Sequence, residues 1–147
     1  MQNKLGFRSA LLRCARMISD EINTLLIPHQ LNYSLWQIIF VLNEKQGCTS
    51  IDMATYLNVS KPSIAKRTQI LLKMGIIAQI ATSDKRQKKL VLTQHGFKLY
   101  QTCADEINRF ENRLKLQLNP EDITTSTALL HQLLEIFEAP QRELEHE

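Results

Sequence analysis

The residues best suited to chemistry in this chain are its lysines and arginines. Asp84, Lys85, Arg86, Gln87, Lys88 and Lys89 run directly into Leu90-Val91-Leu92-Thr93. Residues 60–98 carry nine Lys or Arg (61, 66, 67, 73, 85, 86, 88, 89 and 98) against one acid, Asp84, for a segment charge of +8. Residues 99–147 carry four bases against ten acids, for a charge of −6. Ammonium and guanidinium groups at that density bind phosphate or carboxylate oxygens, so one end of the molecule attracts polyanions and the other repels them. A charge run is ordinarily a solvated face. This one coincides with a recognition pattern.

Other side-chain chemistries have weaker signals. His29, His95, His131 and His146 fall on separate elements without His-x-x-x-His spacing, and no metal site is expected. Cys14, Cys48 and Cys103 are odd in number and far apart, which argues against a disulfide framework and for reduced thiols. Cys14 reads as a buried small hydrophobe, Cys103 as part of a helical core stripe, and Cys48 as a turn residue beside Gly47. The chain has no nucleophile elbow, phosphate-cradling glycine loop or dinucleotide fingerprint; neither an enzyme nor a cofactor is expected.

Composition sets the frame for positioning the basic residues. A chain of 147 residues, 44% hydrophobic and 22% charged, is a soluble globular protein with room for one core and some extra helices. It lacks an apolar run long enough to span a bilayer and a signal-peptide core at its start, so a cytoplasmic location without a membrane partner is expected.

Apolar residues Leu5, Leu12, Ala15, Ile18, Ile22, Leu25 and Leu26 recur at helical spacing, and Pro28 closes that first helix. Ser34-Leu35-Trp36-Gln37 has the form of a capping box ahead of a buried second helix ending near Gly47. A third helix runs from Ser50 or Ile51 to Leu57. A fourth starts after Ser60, an N-cap for Lys61-Pro62-Ser63, and stops at Gly75. Residues 76–82 and Leu90-Val91-Leu92 read as two strands around the charged tip, the only hairpin in the chain. Thr93 caps a long helix with Leu99, Cys103, Ile107, Phe110, Leu114 and Leu118 on one stripe. Asn119-Pro120-Glu121-Asp122 breaks it before a last helix bearing Leu129, Leu130, Leu133, Leu134, Ile136 and Phe137.

The third and fourth helices have the makings of a helix-turn-helix. Such a pair needs a small residue where the helices cross, a turn residue that tolerates a left-handed backbone, and an aliphatic anchor on the second helix. Ala54, Asn58 and Ile64 fill those places. With Ile64, Thr68, Leu71 and Leu72 inward, a 100° step turns Pro62, Ser63, Lys66, Gln69, Ile70 and Lys73 outward and puts Arg67 on the flank. Lys66, Gln69 and Ser63 become base-edge candidates, while Ser60 and Lys61 at the helix start suit phosphate. Ile70 either touches a thymine methyl or packs on a neighbouring element. Lys85, Arg86, Lys88 and Lys89 on the adjacent hairpin suit the minor groove, and Asp84 suits an internal pairing that shapes the tip.

The order of elements and the residues Leu71, Gly75, Ile76, Ile77, Asp84, Arg86, Leu92, Thr93 and Gly96 resemble the multiple antibiotic resistance regulator (MarR) family of winged-helix repressors. Tyr33-Ser34-Leu35-Trp36-Gln37 is similar to that family's entry to its second helix. The resemblance covers nearly the whole chain. It implies a mainly α fold with a small β-hairpin wing: a single domain over 1–147, a winged helix-turn-helix lobe at 31–98, and dimerisation helices at 1–28 and 99–147. It implies a two-fold homodimer joined through helix one and residues 128–137, reading a pseudo-palindromic double-stranded DNA operator. Arg86 then takes the minor-groove place in the wing, and Ser63 and Lys66 face the major groove. Gln79 stands where the family usually has Arg, and the stretch from there to Asp84 is one residue short, which bears on the wing's tilt and its internal salt bridge.

The DNA-contacting set is therefore Ser60, Lys61, Pro62, Ser63, Lys66, Arg67, Gln69, Lys85, Arg86 and Lys88. A small apolar or phenolic ligand near Arg16, Met17, His29, Tyr33 and Trp36 would relieve repression by population shift, with Tyr33 and Trp36 as ordinary core aromatics the competing reading. Two other functions compete with a ligand-responsive repressor. One is a winged-helix module whose basic face meets an acidic protein, and the other is a thiol-based redox sensor.

Overall fold

The structure is a computed structural model that describes residues 4–83 and 88–145, with side chains described up to residue 139. The chain divides into two compact units, Met1–Ile107 and Asn108–Glu147. In the first, α1 (Phe7–Leu26) is followed by a 3-10 turn (Ile27–His29), α2 (Tyr33–Lys45), β1 (Cys48–Thr49), α3 (Ser50–Leu57), α4 (Lys61–Lys73), β2 (Ile77–Ala81) and β3 (Lys88–Leu92). Helix α5 (Gln94–Lys115) begins in the first unit and ends in the second, which also holds α6 (Pro120–Glu145). The mainly helical class with a small antiparallel wing is as the sequence implied.

Burying α2 gives the first unit its core. Ile38, Ile39, Val41 and Leu42 are all at or near zero exposure, and they meet Leu26, Met53, Ile64, Leu71, Ile76, Leu90 and Cys103 in one cluster. Each such side chain withdrawn from water contributes about 1.5–3 kcal/mol relative to an exposed one, which is why this run holds the other elements around it.

The start of α2 departs from the sequence reading. Asn32, not Ser34, is the N-cap: its backbone is extended (φ −132°, ψ 174°) and its Oδ1 accepts from Leu35 N–H at 2.8 Å. Tyr33 is already helical, so Ser34 sits inside the first turn and its hydroxyl is not the cap. Tyr33 N–H instead donates to Asn23 Oδ1 on α1 at 2.8 Å, pinning the turn to its neighbour. Asn32→Ala should therefore lower stability by about 1 kcal/mol while Ser34→Ala changes it little. Urea unfolding of the two variants checks the assignment, and equal losses would return the cap to Ser34.

The sheet has three strands in the order β1-β3-β2, both pairings antiparallel, with Cys48 opposite Leu90 and Ile77 opposite Leu92. The hairpin is thus not the whole sheet, and Cys48 lies in a strand rather than a turn. Two residues are too few for a period-two pattern; tertiary contact creates this strand. Gly47, at φ +96°, leads into it, and a Cβ there would stand 2.8 Å from both Lys89 Cε and Val91 Cγ1, so only glycine lets β1 reach β3.

Element ends also differ from the sequence reading. The hairpin strands are Ile77–Ala81 and Lys88–Leu92, α5 stops at Lys115, short of Leu118, and α6 continues past Phe137 to Glu145. Asn119 Oδ1 accepts from Glu121 N–H at 2.9 Å, turning the Asn-Pro break into the start of α6. Cys14 is exposed, not buried. The fully buried position of α1 is Leu26, at its C-terminal end, and helical geometry turns Cys14 well away from that line.

Leu5, Phe7, Leu12, Met17 and Ile18 on or beside α1 are exposed, as are Leu129, Leu130, Leu134, Ile136 and Phe137 on α6. Among the described residues, no helix is long and apolar enough to cross a membrane.

Candidate nucleic-acid interface

Local chemistry sets the helix-turn-helix. Thr49 caps α3 with a complete capping box: its Oγ1 accepts from Asp52 N–H at 3.2 Å, and Asp52 Oδ2 accepts from Thr49 N–H at 3.3 Å. Asn58 ends α3 in the left-handed region (φ 54°, ψ 49°), a conformation asparagine adopts more readily than other non-glycine residues. Val59 N–H then donates to the carbonyl of Ala54 at 3.1 Å, folding the chain back before α4. Ile64 and Leu71 are fully buried and Thr68 nearly so, its hydroxyl donating to Ala65 O at 3.0 Å. Ala54 and Leu72 are half-buried.

The outer surface of α4 is cationic. Ser60 is the N-cap, with its Oγ accepting from Ser63 N–H at 3.3 Å, and Pro62 occupies the first turn, where its missing N–H costs nothing. Lys61, Pro62, Lys66, Gln69, Ile70 and Lys73 are exposed and Ser63 is half-buried. No acid falls between Lys61 and Ser83. Ile70, 40% exposed, stands on this face as an apolar position.

Arg67 is placed differently. It is half-buried, and its Nη1 donates to Gln37 Oε1 at 3.0 Å and to the Ser34 carbonyl at 3.4 Å, both on α2. Beside α4, Lys88 is exposed at the start of β3 and Lys89 is half-buried; Gln79, opposite Leu90, is exposed. Asp84, Lys85 and Arg86 lie outside the described residues, so the wing-tip contacts expected of them have no structural description.

The five residues expected at a ligand differ in exposure and partners. Arg16 is exposed and pairs with Asp20 at 3.2 Å; Met17 is exposed. His29, in the 3-10 turn, lies 3.1 Å from Glu106 Oε1 on α5. Tyr33 is half-buried, and Trp36 is buried with its ring stacked on Tyr100 at 5.5 Å and 6°. A cavity of about 330 Å³ lies elsewhere, between the end of α2, the end of β3 and the start of α5, lined by Leu42, Gly47, Val91, Thr93 and Phe97 among others.

Burial governs the groups whose titration departs from normal. The Cys103 thiol is pushed up to about 11, chiefly by burial and then by Glu106. Cys48 is raised by burial and by Asp52, against smaller opposing effects of Lys45 and Lys89. Tyr100 is raised by burial and Glu44, with an Asn43 hydrogen bond opposing. Both buried thiols are therefore held in the unreactive protonated form. Among the described residues, no cluster of three or more His, Cys, Asp or Glu could hold a metal ion.

Sequence reading missed Gln37 as the acceptor of Arg67 and Tyr100 as the partner of Trp36. Their separations along the chain, 30 and 64 residues, leave no periodic or motif signal.

No protein-family model matches the chain. It is 28% identical over 121 residues to an uncharacterized HTH-type transcriptional regulator, YwoH of Bacillus subtilis, covering 82% of this chain and 88% of that one. Its fold matches Staphylococcus aureus MarR in complex with salicylate and kanamycin at a TM-score of 0.81, with 22% identity and 89% of each chain covered. It matches the S. aureus MepR–DNA complex at 0.78, with 19% identity over 90% of this chain and 98% of that one. At these identities the solved structures establish a shared fold. The chain is a winged helix-turn-helix protein built as the MarR regulators are, and it resembles that family over most of its length.

Proposed function

We propose that this protein is a dimeric, sequence-specific DNA-binding regulator of transcription, a cytoplasmic repressor relieved by a small apolar or phenolic ligand. The observation that carries the reading is the outer face of α4: Lys61, Lys66, Gln69 and Lys73 exposed on a helix locked by Asn58, Ile64 and Leu71, with Lys88 at the foot of the neighbouring wing. Lysine heads neutralise phosphates, and Lys66 and Gln69 have the donors and acceptors that distinguish base edges in a major groove. The similarity to HTH-type transcriptional regulators and to a MepR structure solved with DNA supports the same assignment.

Residues 31–98 form the reading lobe, with Ser60, Pro62, Ser63, Lys85 and Arg86 completing its DNA-contacting set. Residues 1–28 and 99–147 join two copies. The large apolar residues left exposed along α1, and separately along α6, support that role, since such side chains are the material of an interaction face. Two reading helices related by a two-fold axis would engage a pseudo-palindromic operator with half-sites about one helical turn, roughly 34–36 Å, apart. Ligand relief draws on the salicylate-bound relative of the same fold and on residues Arg16, Met17, His29, Tyr33 and Trp36. The thiol-sensing alternative gains nothing from Cys48 and Cys103, which are buried and protonated.

Titrating the purified protein against operator and random duplexes at several salt concentrations tests the reading, with the operator taken from bound genomic fragments. A regulator of this kind loses affinity steeply as salt rises and prefers its operator by about a thousandfold or more. A flat ratio between operator and random DNA would overturn sequence-specific regulation in favour of an acidic protein partner for the basic face.

A further inference from the structure

The sequence places Arg67 among the DNA-contacting cations, but its position in the fold differs from that of every other cation on α4. Lys61, Lys66 and Lys73 are exposed, whereas Arg67 is half-buried and commits Nη1 to Gln37 Oε1 at 3.0 Å and to the Ser34 carbonyl at 3.4 Å. Both acceptors lie in the first turns of α2, whose start is itself tied to neighbouring elements. Asn32 caps it, Asn23 of α1 accepts from Tyr33 N–H, and the Trp36 ring is stacked on Tyr100 of α5. A planar guanidinium with a fixed fork of donors is suited to lock two helices at one rotation and one offset, which a lysine in the same place would not do.

We propose that Arg67 is a positioning residue for DNA reading: its clamp onto Gln37 and Ser34 sets the rotation of α4 relative to α2 and thereby aims Lys66 and Gln69 at base edges. This rests on the DNA-binding reading above. The two roles open to Arg67 differ in a measurable way. A phosphate contact adds one released counterion to the salt dependence and strengthens operator and random DNA alike. A clamp leaves the counterion count unchanged and acts only where orientation matters, on the operator.

The test uses the full chain with Arg67→Met, Gln37→Met and the double variant, each checked for native unfolding behaviour, and measures operator and random-duplex affinity over a salt series. The clamp predicts that each single variant weakens operator binding by about tenfold, leaves random-duplex affinity and the salt slope unchanged, and that the double variant is no worse than either single one. If Arg67→Met instead lowers the slope by about 0.9 and weakens both duplexes while Gln37→Met has no effect, Arg67 is a phosphate contact and the proposal is overturned. Should Arg67→Met fail to fold, Gln37→Met decides alone, because it keeps the cation: operator loss at constant slope supports the clamp, and unchanged affinity overturns it. Absence of DNA binding by the wild-type chain removes the underlying reading instead, an outcome distinct from any of these.

Discussion

Gly96→Ala is expected to destabilise the protein by about 3 kcal/mol or more, lowering its midpoint of thermal unfolding by about 10 °C at equal protein concentration. Gly96 lies in the first turn of α5 directly against the main chain of Ile76, so a Cβ there would collide with the Ile76 carbonyl oxygen and lie 2.9 Å from its carbonyl carbon. Backbone cannot swing aside as a long side chain can. The same turn is tied by Thr93, whose N–H donates to Ile76 O at 3.0 Å and whose hydroxyl donates to Gly75 O at 2.6 Å while accepting from Gly96 N–H at 3.0 Å. Moving α5 away to admit a methyl group breaks these bonds together, and it loosens the join between the end of α4, the start of β2 and α5. Matched urea and thermal unfolding of wild type and variant measures the loss. A midpoint within about 2 °C of wild type would mean that α5 is not held against Ile76, since a bond-breaking shift of that size cannot be so small in energy.

The second large effect concerns charge. Lys61→Glu combined with Lys66→Glu should weaken binding to DNA by about a hundredfold or more near 0.1 M salt and reduce the slope of log affinity against log salt by about two. The fold should persist, because both side chains are exposed and a glutamate in the first turn of α4 is favoured by the helix dipole. Random duplexes should lose affinity along with the operator, in contrast to the Arg67 and Gln37 variants, and the remaining operator preference should narrow because Lys66 is also the base-edge candidate. A salt titration of the double variant showing wild-type affinity and slope would sink the assignment of the α4 face as the DNA-contacting surface.

Features decided over a few neighbouring residues are legible in the order of amino acids alone. The left-handed turn at Asn58, the Ser60 cap ahead of Pro62, the burial of Ile64, Thr68 and Leu71, and the glycine stop after α4 depend on capping, backbone conformation and a 3.6-residue period. The exposed Lys61, Lys66, Gln69 and Lys73 follow from that same period once the inward anchors are known.

Tertiary structure decided whatever depends on partners distant in the chain. Strand β1 exists only because β3 is there to pair with it. Asn32 displaces Ser34 as the cap because the chain becomes helical at Tyr33, whose N–H finds Asn23 on another helix. Cys14 is exposed because α1 buries its C-terminal end and not its middle. Arg67, on the flank of α4, donates to Gln37 of α2 because packing brings an acceptor 30 residues earlier within reach. Hydrophobic period and local hydrogen bonding act over one or two turns and leave their mark in the succession of residues. A long-range contact depends on how those elements are packed, and that succession does not specify which side chains then face one another.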